Sequence, residues 1–308
     1  MHALSRSLIP LAALAAGCSA AASTPPVSNS ATAALAASRA PSLFATAQSP
    51  SQGFVYACTL EPRCFVFTSA GKRVRTIQGD LQQPSALVSD PQGYVYVSDA
   101  IANQVAIYSP GMKRRIATRT RVSVGFDMAV HAGTIAVGGG NTITVLPAGS
   151  KAPYYLSDPD AMQGNGLAFD SRGNCYWSVT LNDGKGTVRV DEFDGCAGSA
   201  QHLAIPGSPL WLAFDGSDDL YYVDFAIDKS SGIYRCAGLS NCKLAFGRGT
   251  ESRAIRFDRG WQHLYVADLG GPNISRIDIA TGKVDEVITR GLQGYSQPIA
   301  VADGPGPN

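Results

Sequence analysis

The chain has 308 residues, of which 45% are hydrophobic and 16% charged, with a formal net charge of +1. That balance supplies ample apolar area for a core and no strong field of either sign. Nucleic acid and an anionic membrane surface are therefore excluded as electrostatic partners.

The first residues, MHALSRSLIPLAALAAGCS, join Arg6 to an apolar run from Leu8 to Ala16 that is too short to cross a bilayer as a helix. They predict an export signal over residues 1–17. Leu14-Ala15-Ala16-Gly17 sets small residues directly before Cys18, and the segment resembles the bacterial lipoprotein signal, although that family prefers a larger aliphatic residue where Ala15 stands. The resemblance implies acylation of Cys18 and an extracytoplasmic place in the cell envelope, on the periplasmic or cell-surface side. Membrane contact would then run through the lipid alone. Residues 18–50 are dominated by Ala, Ser, Thr and Pro. They bury too little apolar surface to offset their ordering entropy and predict a flexible tether. The folded domain is expected over 51–308.

Downstream, Ala86 to Val88 is a compact apolar run, Asp90-Pro91-Gln92-Gly93 a turn signature, and Tyr94-Val95-Tyr96-Val97 a second strand. The same order recurs in FDMAVHAGTIAVGG (around Met128), NGLAFDSRGNCYWSV (Leu167), LWLAFDGSDDLYYVD (Leu212) and RAIRFDRGWQHLYVAD (Ile255), and begins again in QPIAVADGPGPN (Ile299). The spacing of about 40 to 45 residues is that of a four-stranded propeller blade. A third strand such as Gln104 to Tyr108 follows in each unit, then a polar fourth, as at Lys113 to Thr120, whose charges suit an exposed edge. The last unit stops after one strand. Gly53 to Cys58, Cys64 to Thr68 and Val74 to Ile77 supply its missing second, third and fourth strands. The fold expected is all-β: a six-bladed β-propeller of four-stranded antiparallel blades, closed by pairing of residues 54–58 with 298–302.

Besides Cys18, six cysteines fall in pairs that face one another across hairpins: Cys58 with Cys64, Cys175 with Cys196, and Cys236 with Cys242. Facing positions of an antiparallel pair lie about 4.5 to 5.5 Å apart at Cα, close enough for a disulfide. Three local bridges are expected, and they fit an oxidising compartment. A shared metal is disfavoured because the pairs belong to different blades.

Pro84 to Asp99, Asn165 to Trp177 and Ala254 to Asp268 resemble the units of NHL and related six-bladed propellers, and the likeness covers residues 53 to 308. In the Met128 unit, His131 stands in the Asp position and Gly138-Gly139-Gly140-Asn141 makes a compact hairpin. The motif implies the fold and leaves function open, since such propellers serve as enzymes, assembly platforms and peptide binders.

In a propeller the first strand of each blade lines the channel, and the residues just before it ring one mouth, where ligands gather. Two positions before the opening apolar residues stand Ser85, Phe126, Asn165, Leu210, Arg253 and Gln297; one position before stand Ala86, Asp127, Gly166, Trp211, Ala254 and Pro298. Arg253, Trp211 and Gln297 combine a cation, an aromatic face and an amide. With Ser85, Asn165 and Asp127 they form the candidate ligand site. Asn165-Gly166-Leu167-Ala168-Phe169 looks like the gluconolactonase and senescence-marker family of lactonases, in which an Asn here helps hold a divalent metal. That resemblance implies, as an alternative, a divergent hydrolase using Asn165 and Asp127, with calcium as its cofactor. Leu210 stands where that family carries Asp, and Phe126 and Ser85 add no carboxylate to the oxygen set a hard cation needs.

His131, His202 and His263 fall at a lower turn, an outer strand and the start of a second strand, so no Ser-His-Asp triad is expected. Asp99, Asp224 and Asp268 close second strands and are expected to cap loops. Lys113-Arg114-Arg115, with Arg119 and Arg121, reads as a solvated edge strand. The functional expectation is a monomeric, membrane-tethered, non-catalytic platform without a cofactor, holding a protein, peptide or glycan of the envelope.

Overall fold

The computed structural model describes residues 53–304 other than 60, 124, 151, 226–230, 248–251, 269–272, 289–291 and 293–297. The signal, Cys18, the tether and Gln297 lie outside the described residues.

The chain enters through β1 (Phe54–Thr59), β2 (Arg63–Thr68) and β3 (Arg73–Gln78). The first complete blade is β4 (Pro84–Ser89), β5 (Val95–Asp99), β6 (Gln104–Tyr108) and β7 (Arg115–Thr120). The second is β8 (Asp127–His131), β9 (Thr134–Gly139), β10 (Thr142–Leu146) and β11 (Tyr154–Ser157). The third is β12 (Ala161–Phe169), β13 (Cys175–Leu181), β14 (Val188–Phe193) and β15 (Gln201–Leu203). The fourth is β16 (Pro209–Phe214), β17 (Leu220–Asp224), β18 (Gly232–Cys236) and β19 (Cys242–Phe246). The fifth is β20 (Ser252–Phe257), β21 (His263–Asp268), β22 (Ile274–Asp278) and β23 (Val284–Ile288). Finally β24 (Pro298–Gly304) joins β1 to complete the sixth blade in the order β24-β1-β2-β3.

Closure joins the expected segments, with residues 54–58 pairing residues 300–304 rather than 298–302: Tyr56 stands opposite Ala302, Ala57 opposite Val301 and Cys58 opposite Ala300. The inner strands β4, β8, β12, β16, β20 and β24 touch in succession and return to β4, so the ring is closed. A six-bladed, all-β propeller of antiparallel four-stranded blades is therefore the architecture.

The punctuation of the repeat has a local cause. Asp90, Asp170, Asp215 and Asp258 each stand directly after an inner strand and accept backbone N–H groups from the turn they open. Gln92 and Tyr94 donate to Asp90 at 3.0 and 2.9 Å, and Arg172 and Asn174 donate to Asp170 at 3.0 and 2.9 Å. Ser217 and Asp219 serve Asp215, and Gln262 and His263 serve Asp258, in the same way. A carboxylate that satisfies orphan turn donors fixes the strand reversal and hence the register of the blade.

The core is not one mass but wedges between neighbouring blades. Tyr56, Cys58 and Val66 meet Leu87, Val95 and Tyr108 between the sixth and first blades, and Tyr176 and Val190 meet Leu212 and Tyr222 between the third and fourth. Gly138 of the Met128 unit finds its reason here. The fully buried Trp177 of the third blade lies over Gly138 and Gly164, where an added Cβ would fall within 3 Å of the indole.

All three expected disulfides are formed. Cys58–Cys64 ties β1 to β2, Cys236–Cys242 ties β18 to β19, and Cys175–Cys196 ties β13 to the short 3-10 turn after β14, with Cα separations of 4.1, 3.9 and 4.7 Å. Several boundaries differ from the sequence reading, and Ser85, Trp211 and Arg253 lie inside β4, β16 and β20 rather than before them. The fourth strand of the first blade starts at Arg115 rather than Lys113, because Pro110–Met112 forms a 3-10 turn with Gly111 at φ 70°. Asn165 lies inside β12, at a break in register between Gly164 and Leu167, rather than before the strand.

Candidate functional site

At the end of the channel where the inner strands begin, hereafter the upper mouth, the loops form a basin of 310 Å³. Ser85, Asn165, Trp211 and Arg253 line it together, joined by Gln163 and by Phe126, which is 50% exposed. Among the described residues Arg253 makes no ion pair or hydrogen bond, and no carboxylate lines the basin. Asn165 donates through Nδ2 to Thr180 Oγ1 at 3.0 Å, and its Oδ1 lies 3.5 Å from Gln163 Nε2. The glycine after it is dictated by packing. A Cβ on Gly166 would sit 2.1 Å from the Leu210 carbonyl oxygen, because the inner strand of the fourth blade crosses there.

Asp127 does not reach this basin. It is buried on β8 and accepts the backbone N–H groups of Met128 at 2.8 Å and Leu167 at 2.9 Å. Its remaining partner is the Arg256 guanidinium, which projects from β20 on the opposite wall and also donates to the Met128 carbonyl at 3.1 Å and to the Ile255 carbonyl at 2.8 Å. Burial pushes the Asp127 carboxyl above the usual Asp range, while Arg256 and the two N–H donors pull it back toward the charged form. Second and fifth blades are thus bolted together across the lumen. Sequence reading missed Arg256, although the repeat carries a signal: it stands where the other units have Val88, Ala129, Ala168 and Ala213.

A divalent metal does not fit the upper mouth. Such a cation needs converging oxygens, ideally carboxylates. The carboxylate of Asp127 is consumed below the basin by an arginine and two amides, and Asn165 offers a single amide oxygen, Oδ1, 3.5 Å from Gln163 Nε2. No step of a lactonase mechanism is derived through these residues.

Elsewhere, Asp158, Asp191 and His202 bring three donor atoms within 4.8 Å of one another, a spacing that could hold a metal. Arg189 is already seated among them, donating from Nε to Asp191 Oδ1 at 2.9 Å and pairing with Asp158. His202 Nδ1 stands 2.9 Å from the same Asp191 oxygen. The guanidinium supplies the positive charge that a cation would bring. Burial, followed by the hydrogen bond to Asp158, pushes Asp191 up to about 6. For Asp158, burial is outweighed by bonds from Asp191, the Asp160 N–H and Arg189, and its carboxyl lies below the usual range. The cluster is a charge network linking the outer edge of the second blade to the third.

The other candidates separate in space. His131 lies against the Phe169 ring, and His263 is 2.8 Å from Asp258, so the histidines do not gather into a triad. Asp99 accepts the N–H groups of Gln82, Gln83 and Ala102, and Asp224 that of Ser208, both as loop caps; the side chain of Asp268 lies outside the described residues. Arg115 and Arg119 on the exposed edge strand β7 donate to the carbonyls of Asp80 and Ser150.

No protein-family model and no curated protein matches the chain. Solved structures do. A chain of the nidogen/laminin complex aligns over 82% of this chain and 98% of its own, with a TM-score of 0.66 and 17% identity. A protein of unknown function from Bacteroides thetaiotaomicron aligns over 82% of this chain and 71% of its own, with a TM-score of 0.58 and 13% identity. The β-propeller domain of Myceliophteria thermophila Cps50 (Swd1) aligns over 77% and 83%, with a TM-score of 0.54 and 10% identity. At these identities the likeness is one of fold.

Proposed function

We propose that this chain is a non-catalytic binding platform of the bacterial cell envelope, a monomer of NHL type tethered through an acylated Cys18. Its upper mouth would receive a protein, peptide or glycan. The observation that carries this reading is the basin itself, where Arg253, without an ion pair among the described residues, sits beside Trp211, Phe126 and the amides of Gln83, Gln163 and Asn165, and no described carboxylate lines the wall. Such a surface suits acceptor-rich chains that can stack on an aromatic ring. The nidogen/laminin neighbour, a chain from a protein–protein complex, supports the reading at the level of fold.

Affinity capture from the native envelope tests it. The wild-type chain is expected to retain a partner that is lost when Trp211→Ala and Arg253→Ala are combined; capture that survives both changes would remove the mouth from recognition. The anchor is tested separately. Globomycin should leave an unprocessed precursor, and normal maturation under the drug would show that Cys18 is not the acylated residue.

A further inference from the structure

We propose that the lower mouth of the channel is a second ligand site, shaped for an uncharged aromatic molecule that carries a carbonyl acceptor. The site is independent of the upper basin, because the Arg256–Asp127 pair lies across the lumen between them.

The lower cavity measures 490 Å³, larger than the upper basin and within the range of small-molecule sites. Its wall is built from one register of the repeat. Ala129, Ala168 and Ala213 leave the lumen open, and Phe169, Phe214 and Phe257, one position further along, form an apolar collar. Each collar ring is braced by an aromatic side chain of the preceding blade. His131 meets Phe169 at 5.7 Å, Tyr176 meets Phe214 at 4.6 Å, and Tyr221 meets Phe257 at 5.0 Å between centroids. The collar is therefore preformed, and little ordering cost remains for a ligand to bear.

The floor sets the polarity of the occupant. Three N–H bonds of Arg256 go to Ile255, Asp127 and Met128, which leaves guanidinium donors unspent among the described residues. Its charge, however, is already balanced by Asp127. A ligand carboxylate would crowd a second anion against that pair, whereas a neutral carbonyl would accept from the guanidinium without disturbing it. The rim carboxylates Asp90 and Asp258 are engaged by their own turns, and the lining adds one further cation, Arg259, apart from the Arg256–Asp127 pair.

Trp261 supplies an independent argument. It lines this cavity with its side chain 51% exposed, and its backbone is left-handed at φ 52°. The same turn position is Gly93 at φ 86° in the first blade, Gly173 at φ 87° in the third and Asp218 at φ 59° in the fourth, a short polar residue that tolerates the left-handed region better than a bulky one. A bulky residue there is strained, and nothing in the turn requires it. The indole rests on Gly216 of the neighbouring blade, whose hydrogen leaves room that a Cβ, 2.8 Å from the ring, would close. The turn thus sets an aromatic face at the rim of an aromatic-collared cavity.

Titration of the full chain with prodan, a neutral aromatic ketone whose emission reports its surroundings, tests the proposal. Saturable one-to-one binding with a blue-shifted emission is expected, about tenfold tighter than that of dimethylaminonaphthalene, which lacks the carbonyl. Trp261→Gly should weaken binding by about fivefold or more while leaving Tm equal or higher, since it restores the residue the turn prefers. Ala213→Leu should block the cavity, and the Trp211→Ala, Arg253→Ala pair should leave prodan binding intact even where it abolishes partner capture. Absence of saturable binding to the wild type would overturn the proposal. So would undiminished affinity in Trp261→Gly, and equal affinity for the carbonyl-free analogue would overturn the role given to Arg256.

Discussion

Arg256 shows what one side chain can do in a repeat. At its register the other units carry Val or Ala, whose small volume leaves an open lumen; a single arginine fills that space and finds Asp127 on the far wall. The substitution is visible in the sequence, yet its partner lies 129 residues away, and which side chain crosses a lumen depends on all the blades at once. For the same reason the sequence placed Asp127 at the mouth: the residue count locates it one position before the opening Met128, but not which way it turns. Removing one member of a buried ion pair strands the other, at a cost of roughly 3 to 5 kcal/mol. Arg256→Met is accordingly expected to lower stability by about that amount in chemical denaturation, and adding Asp127→Asn should recover much of it. Wild-type stability in the single variant would mean that the pair does not brace the ring.

Strands and turns were more legible, because each blade is built from local hairpins whose signals do not depend on distant partners. The Asp turns, the Tyr- and Val-rich second strands and the facing cysteines each follow from contacts a few residues apart in the chain. Boundaries moved where a local turn competed with the strand, as at Pro110–Met112, or where a bulge absorbed an extra residue, as at Asn165. Closure is the one long-range pairing, inferred from a strand missing at one end and three left over at the other. Cysteines placed at facing positions, Ala57→Cys with Val301→Cys, are expected to crosslink under non-reducing conditions, since such positions lie about 4.5 to 5.5 Å apart at Cα. A peptide map without the 57–301 link would contradict the ring.

At the scale of the propeller, inter-blade wedges hold the ring, a charged bolt divides its two mouths, and three disulfides each add about 2 to 3 kcal/mol in the loop-closure model. A preformed surface spends little binding energy on ordering. The sequence located most of the upper rim, since the residues before the inner strands must ring one mouth in any propeller. It gave no sign of the lower cavity, whose collar looks like ordinary strand-end phenylalanine until the rings are seen side by side. The upper mouth is the central functional claim, and a photocrosslinker tests it most directly. Phe126, half exposed on that rim, would be replaced by benzoylphenylalanine, with Val74, equally exposed on an outer strand, as the control position. After illumination in the native envelope, a discrete adduct is expected from position 126 and none from position 74; adducts at 74 alone, or equally at both, would contradict recognition through the mouth.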